Sequence, residues 1–237
     1  MTLVYQHLGL GDHILCNGMM RSLASRGKAL SILVKAQNIP AVSQMFCDVD
    51  VALIGLKNGD LEAADICRQW KDAGQSVLRI GFSNPAWTRR DLRHFDQTFY
   101  QMAAVPLEER WSAFRIGKRR PEAEAGVFDR LWPRRPYIFV HDDPSRGFKI
   151  PKAMLPAGLA VVRPQPGLTE TLFDYRQLIE KAEEIHCISS SFAHWIENER
   201  LGQHRYLHRH ARMDGSWCTF RNFVVKHTLL SRAQSLL

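Results

Sequence analysis

Residues 3–25 read LVYQHLGLGDHILCNGMMRSLAS, and this stretch decides the fold. The apolar run over residues 3–7 predicts a strand. Leu8-Gly9-Leu10-Gly11-Asp12-His13 follows at once, and residues 15–25 carry apolar side chains at helical spacing. A strand, a turn with two glycines and a helix make the opening of a Rossmann-like unit. Glycines let a backbone approach a ligand closely. The free N–H groups at the following helix start attract anions, and open parallel sheets bind ligands at the carboxyl ends of their strands.

The same alternation runs outward from there. Residues 30–34, 51–54 and 77–80 read as strands and 61–73 as a helix. Residues 89–105 read as a helix carrying Phe95, Phe99 and Tyr100. The charged, proline-containing stretch 108–136 follows, and its later part, 118–136, is expected to be the change between lobes. Strands are then expected at 137–141, 159–162, 184–188 and 205–207. Helices are expected at 174–183, with Asp174 as N-cap, at 192–199, and over the last residues, 224–237. Strand–helix repeats imply parallel strands with crossover helices. The predicted fold is therefore α/β, with two Rossmann-like lobes of parallel sheet facing across a cleft, residues 1–120 and 121–237. The second lobe is expected to be reduced, with about four strands.

Composition narrows the function classes. Of 237 residues, 45% are hydrophobic and 24% charged, the balance of an ordinary globular protein. Asp12 and His13 interrupt the first apolar run and no basic segment precedes it, so no signal peptide is expected. No run approaches the roughly 20 apolar residues that span a bilayer. The expected location is the cytoplasm, with peripheral contact at an anionic inner-membrane surface left open. Cys16, Cys47, Cys67, Cys187 and Cys218 are odd in number and contain no CxxC pair, which favours buried free thiols over disulfides or a zinc site. The formal charge of +8 favours anionic partners. The basic residues are scattered, without the interleaved aromatics of single-strand binders, so nucleic acid is not an expected partner. His204, His208 and His210 lack an acidic or cysteine partner at zinc-site spacing and read as a basic, exposed segment.

Three constellations carry chemistry. In the first, Ile14 stands where a dinucleotide fingerprint has its third glycine, and no acidic residue ends the strand 30–34, so no nicotinamide cofactor is expected. Asp12 either caps the helix or, at the mouth of a cleft, accepts a proton from a sugar hydroxyl. The second is Ile185-His186-Cys187-Ile188-Ser189-Ser190-Ser191-Phe192-Ala193-His194. Its three serines at a helix start supply hydroxyl and backbone donors, suited either to phosphate oxygens or to capping. The third is His141-Asp142-Asp143-Pro144-Ser145-Arg146-Gly147-Phe148-Lys149. Arg146 and Lys149 can pair with a diphosphate, and the adjacent Asp142 and Asp143 read as a solvated turn, with no metal expected.

The run from Gly9 to Leu15, continuing through Arg21-Ser22-Leu23, resembles the opening of the ADP-heptose:lipopolysaccharide heptosyltransferases, which have the GT-B fold. Asp12 falls on that family's Gly-Asp aspartate, taken there as the catalytic base. Ser189, Ser190 and Ser191 fall on the family's Asp-Thr-Gly and His194 on the histidine three residues later, a motif that binds the nucleotide-sugar phosphates. Serine here replaces both the aspartate and the glycine, and the Ser-Ser-Phe turn is also similar to that of certain fucosyltransferases. The resemblance implies a small, divergent glycosyltransferase, inverting and metal-independent. Asp12 would be its base, and Gly9, Gly11, His13, Arg146, Lys149, Ser189, Ser190, Ser191 and His194 would contact substrate. Its partners would be a nucleotide-sugar donor, held by the second lobe, and a glycan or lipid-linked acceptor on the first, for polysaccharide biosynthesis. The alternative implied by the short chain is an inactive GT-B-like protein that binds a nucleotide or glycan.

Overall fold

The computed structural model describes residues 1–88, 95–209 and 218–226. Among these residues the chain forms two units. One holds Met1–Arg119 together with Cys218 and Thr219; the other holds residues 120–209 and 220–226.

The first unit is built on a four-stranded parallel sheet. Its strands are β1 (Thr2–Tyr5), β2 (Leu30–Lys35), β3 (Val51–Leu56) and β4 (Ser76–Arg79), in the order β3-β2-β1-β4. The turn after β1 enters α1 (Leu10–Leu15), and Cys16 separates it from α2 (Asn17–Ser25). Helix thus begins five residues earlier than apolar spacing implies, because extended Gly9 takes the N-cap position, which glycine tolerates well. Asp12 lies in the first turn of α1 and is not its cap. α3 (Ile39–Phe46), which the sequence reading lacked, connects β2 to β3, and α4 (Asp60–Asp72) connects β3 to β4. Leu3, Tyr5, Leu33 and Leu56 pack with Ala63 and Cys67 of α4. Each large apolar side chain buried this way stabilises the unit by about 1.5–3 kcal/mol.

Of the helix expected at 89–105, Phe95–Met102 forms α5, and residues 89–94 fall outside the described residues. The short α6 (Glu109–Ser112) follows. Arg110 and Asp96, 0% and 1% exposed, pair at 2.5 Å, and Thr219 donates its N–H to Asp96 and accepts from Arg110. A late piece of chain is thereby fixed to the first unit by a fully buried ion pair.

The second unit opens with α7 (Pro121–Leu131), folded from a stretch the sequence reading treated as connection. Proline in the first turn suits a helix start, and Glu122 and Glu124 there complement the helix dipole. A parallel sheet of five strands follows, one more than expected. It contains β5 (Tyr137–His141), β6 (Ala160–Val162), β7 (Glu184–Cys187), β8 (His204–His208) and β9 (Val224–Lys226), in the order β6-β5-β7-β8-β9. Val224, expected to start a helix, instead starts β9 against Tyr206, because two β-branched valines fit an edge strand; residues 227–237 of that expected helix lie outside the described residues. Asp174 is not an N-cap. It is buried in a 3-10 turn, Leu172–Tyr175, ahead of α8 (Arg176–Glu180), where Thr169 hydrogen-bonds to it. α9 (Ser191–Glu199) links β7 to β8, and its buried Glu197 accepts the N–H groups of Arg221 and Asn222 at 2.7 and 2.9 Å.

Two expectations about side chains need correction. His208 is fully buried, with Nε2 2.9 Å from His186 Nδ1, whereas His204 is exposed; His210 is outside the described residues. Cys16, Cys67 and Cys187 are buried free thiols, but Cys47 is exposed. Among the described residues no helix is long and apolar enough to cross a membrane.

Candidate functional site

In the first unit β2 and β3 lie to one side of β1 and β4 to the other, so the boundary between β1 and β4 is a topological switch point. Residues that follow β1 gather there. His7 stacks on Phe82 at 4.0 Å, and the Phe82 N–H donates to His7 Nε2 at 2.8 Å. Burial lowers the His7 pKa to about 4, so the ring is neutral near pH 7 and its one proton sits on Nδ1. That nitrogen lies 3.8 Å from Asp12 Oδ1. Two glycines make the arrangement possible. A side chain on Gly81, which has a φ of +75°, would stand 2.3 Å from His7 Nε2, and one on Gly9 would stand 2.6 Å from Asp12 Oδ2. The Asp12 carboxylate therefore folds back over the turn into space that a Cβ at position 9 would take from it.

Beside this turn opens a cavity of about 400 Å³, lined by Tyr5, Gln6, His7, Lys35, Asp60 and Phe82 among others. The Tyr5 hydroxyl donates to Asp60 Oδ1 at 2.8 Å, and Phe82 is 60% exposed. Gln6 Oε1 is buried and makes no hydrogen bond. A bare aromatic face beside a carboxylate, an ammonium group and an amide oxygen can stack and hydrogen-bond a polyhydroxylated ring.

The second unit has a different strand order but also a switch point, between β5 and β7. β6 lies to one side of β5, while β7, β8 and β9 lie to the other. His141 ends β5, and Ser189, Ser190 and Ser191 lead from β7 into α9. Ser190 is the N-cap of α9. Its Oγ accepts the Ala193 N–H at 3.3 Å and lies 2.9 Å from His141 Nδ1. The His141 ring packs on Phe192 at 4.5 Å. Burial lowers its pKa to about 4, against the opposing pull of Asp142 and Asp143. Both carboxylates are engaged. Asp142 accepts the Ile150 N–H at 3.1 Å and the Arg163 guanidinium at 3.0 and 3.3 Å. Asp143 binds Ser145 and Arg146, which hold its carboxyl below the usual range. Among the described residues no three His, Cys, Asp or Glu side chains come together to hold a metal ion.

Similarity at the level of the whole chain is structural. No family model matches the sequence, and no curated protein does. A glycosyl transferase family 9 structure from Veillonella parvula DSM 2008 superposes with a TM-score of 0.58, covering 99% of this chain and 90% of that one at 10% identity. This chain has the fold of glycosyltransferase family 9. The iron-containing dodecameric glycosyltransferase TibC from enterotoxigenic E. coli H10407 is also similar, with a TM-score of 0.52 and 12% identity over 93% of this chain and 62% of that one. In the family 9 fold, then, the two switch points carry the polar residues just described.

The residues expected from sequence sit at those points with distinct environments. Gly9, Gly11 and Asp12 lie just past β1, with Asp12 partly exposed. His13 faces inward. It is 0% exposed, accepts from Gln6 Nε2 at 2.6 Å, and burial lowers its pKa to about 3. It packs beneath the turn against Gln6. His194 is also buried, stacked on Phe220 at 5.3 Å. The Ser190 hydroxyl is engaged in capping and with His141, while Ser189 and Ser191 remain partly exposed. Arg146 is tied to Asp143, and Lys149 is exposed. Sequence reasoning missed His7, Lys35, Asp60, Phe82, His141 and Arg163 as site residues. A usable signal existed for four of them. Lys35 and His141 end parallel strands, and His7 and Arg163 follow within two residues of a strand's end, the edge where such sheets bind ligands.

Proposed function

We propose that this chain is an inverting, metal-independent glycosyltransferase that moves a sugar from a nucleotide-sugar to a hydroxyl of a glycan or lipid-linked acceptor. The observation that supports it most is the near full-length likeness to a glycosyl transferase family 9 structure, with polar groups at both switch points. Asp12 takes the proton of the acceptor hydroxyl as that oxygen attacks the anomeric carbon from the face opposite the diphosphate. The bond from the anomeric carbon to the phosphate oxygen breaks and leaves its electron pair on the diphosphate. Single displacement inverts the anomeric centre. The N–H groups at the start of α9, with Ser189, Ser191, Lys149 and Arg146, offset the charge of the leaving group. The acceptor sugar stacks on Phe82 in the first unit's cavity, its hydroxyls meeting Asp60 and Lys35. The protein works in the cytoplasm, where nucleotide-sugars are made, and reaches lipid-linked acceptors at the inner-membrane surface through its positive charge.

A thermal-shift and calorimetric screen against UDP-, GDP-, ADP- and CMP-sugars tests the reading, since a ligand of the native state raises apparent stability. One nucleotide class is expected to bind, with transfer to a glycan acceptor that Asp12→Asn abolishes while donor affinity stays within about twofold, because Asp12 touches the acceptor side only. Binding without transfer or donor hydrolysis would make the chain a nucleotide- or glycan-binding protein on a transferase fold. Binding of none would refute both.

A further inference from the structure

The Ser190–His141 contact fixes more than a helix cap. Ser190 Oγ accepts the Ala193 N–H and lies 2.9 Å from His141 Nδ1, so a hydroxyl proton turned toward that nitrogen would make His141 the acceptor of the pair. A neutral imidazole that accepts on Nδ1 carries its proton on Nε2. Among the described residues no protein group hydrogen-bonds to that nitrogen, and His141 is partly exposed. His141 stands at the end of β5, beside the β5–β7 switch point and the start of the nine-residue α9, with Phe192 against its ring. The carboxylates that follow it in sequence are occupied by Arg163, Ser145 and Arg146, which lowers their repulsion toward an incoming anion.

We propose that His141 is a neutral hydrogen-bond donor to the diphosphate of the nucleotide-sugar, held in its Nε2–H form by the Ser190 hydroxyl. The proposal rests on the reading of the second unit as the donor side. It assigns Ser190 an indirect part, since its hydroxyl orients His141 and does not itself touch phosphate. A preset N–H aimed at an oxygen that gains charge as the leaving group departs contributes more in the transition state than in the ground state. Because the donor is uncharged, it works without the desolvation cost of bringing another cation into the site.

The test uses the full chain, titrated calorimetrically with inorganic pyrophosphate and with ADP, GDP, UDP and CDP. His141→Phe keeps the packing on Phe192 and removes both nitrogens; it is expected to weaken pyrophosphate and nucleotide binding about tenfold or more. His141→Gln, whose amide can donate from near the Nε2 position, should recover much of the loss. Ser190→Ala should weaken binding less than His141→Phe and add nothing in the His141→Phe background. Nitrogen-15 spectra of the wild-type imidazoles give a readout that needs no variant, with His141 expected as the Nε2–H tautomer. An Nδ1–H signal for His141, or His141→Phe binding at wild-type affinity, overturns the proposal while leaving the donor-side reading intact. A wild type that binds neither pyrophosphate nor any nucleoside diphosphate overturns both.

Discussion

A methyl group at position 9 would stand 2.6 Å from Asp12 Oδ2, well inside van der Waals contact. Gly9→Ala should therefore displace the carboxylate while leaving the sheet and its core alone. Transfer is expected to fall about 100-fold, the scale of a 1 Å misplacement of a reacting group, with a melting temperature within a few degrees of wild type. Steady-state kinetics beside a thermal melt checks this, and an active Gly9→Ala would mean that Asp12 does not act from its observed position. The same scale explains why His13 is buried although it adjoins Asp12. One residue along a helix turns a side chain by about 100°, which takes position 13 from the surface to the interior beside Gln6.

At the scale of elements, buried charge governs what can be changed. Arg110→Met leaves Asp96 buried without its cation and releases the Thr219 carbonyl, so it should cost about 3–5 kcal/mol in urea unfolding. Loss of the α9 cap in Ser190→Ala should cost about 1 kcal/mol by the same measurement. A smaller cost for Arg110→Met would mean that water reaches the pair. Elements with local signals were legible in the sequence. β1, β2 and β5 are apolar runs, and the turn at Gly9 and Gly11 is marked by its own residues. α7 was missed because proline and charge, read as signs of a connection, are also what a helix N-terminus favours. β9 was missed because the residues after Val224 continue with helical spacing, and only pairing with β8 makes a strand of them. In the site, Asp12 was legible from its turn. His141 could be placed at a strand's end, but its pairing with Ser190, 49 residues away, could not be read from the sequence, and its tautomer depends on that contact.

For the whole molecule, neutral buried imidazoles set the response to acid. His7, His13 and His141 have folded-state pKa values of about 4, 3 and 4, each lowered by burial, and His186 is lowered as well. In the unfolded chain they bind protons near pH 6.5, so stability is lost as pH falls from about 6.5 toward 4. The three with stated values should together cost on the order of 4 kcal/mol per pH unit between about pH 6 and pH 5. Asp48, held low by Arg21, adds its loss only below about pH 4. Melting followed by circular dichroism should show a steep fall between pH 6.5 and pH 5, and His13→Asn should flatten it. A melting temperature constant over that range would contradict neutral imidazoles in the folded state.

The chain passes from the first unit to the second after Arg119, is back in the first at Cys218 and Thr219, and is in the second again from Phe220. A crossover at Arg119 would remove Thr219, the residue that completes the Arg110–Asp96 pair, along with the outgoing half. Residues 1–119 thus depend on a residue that lies far beyond them in sequence. Chimeras cut at that point should be insoluble unless the donor half brings its own residue able to serve Arg110 and Asp96.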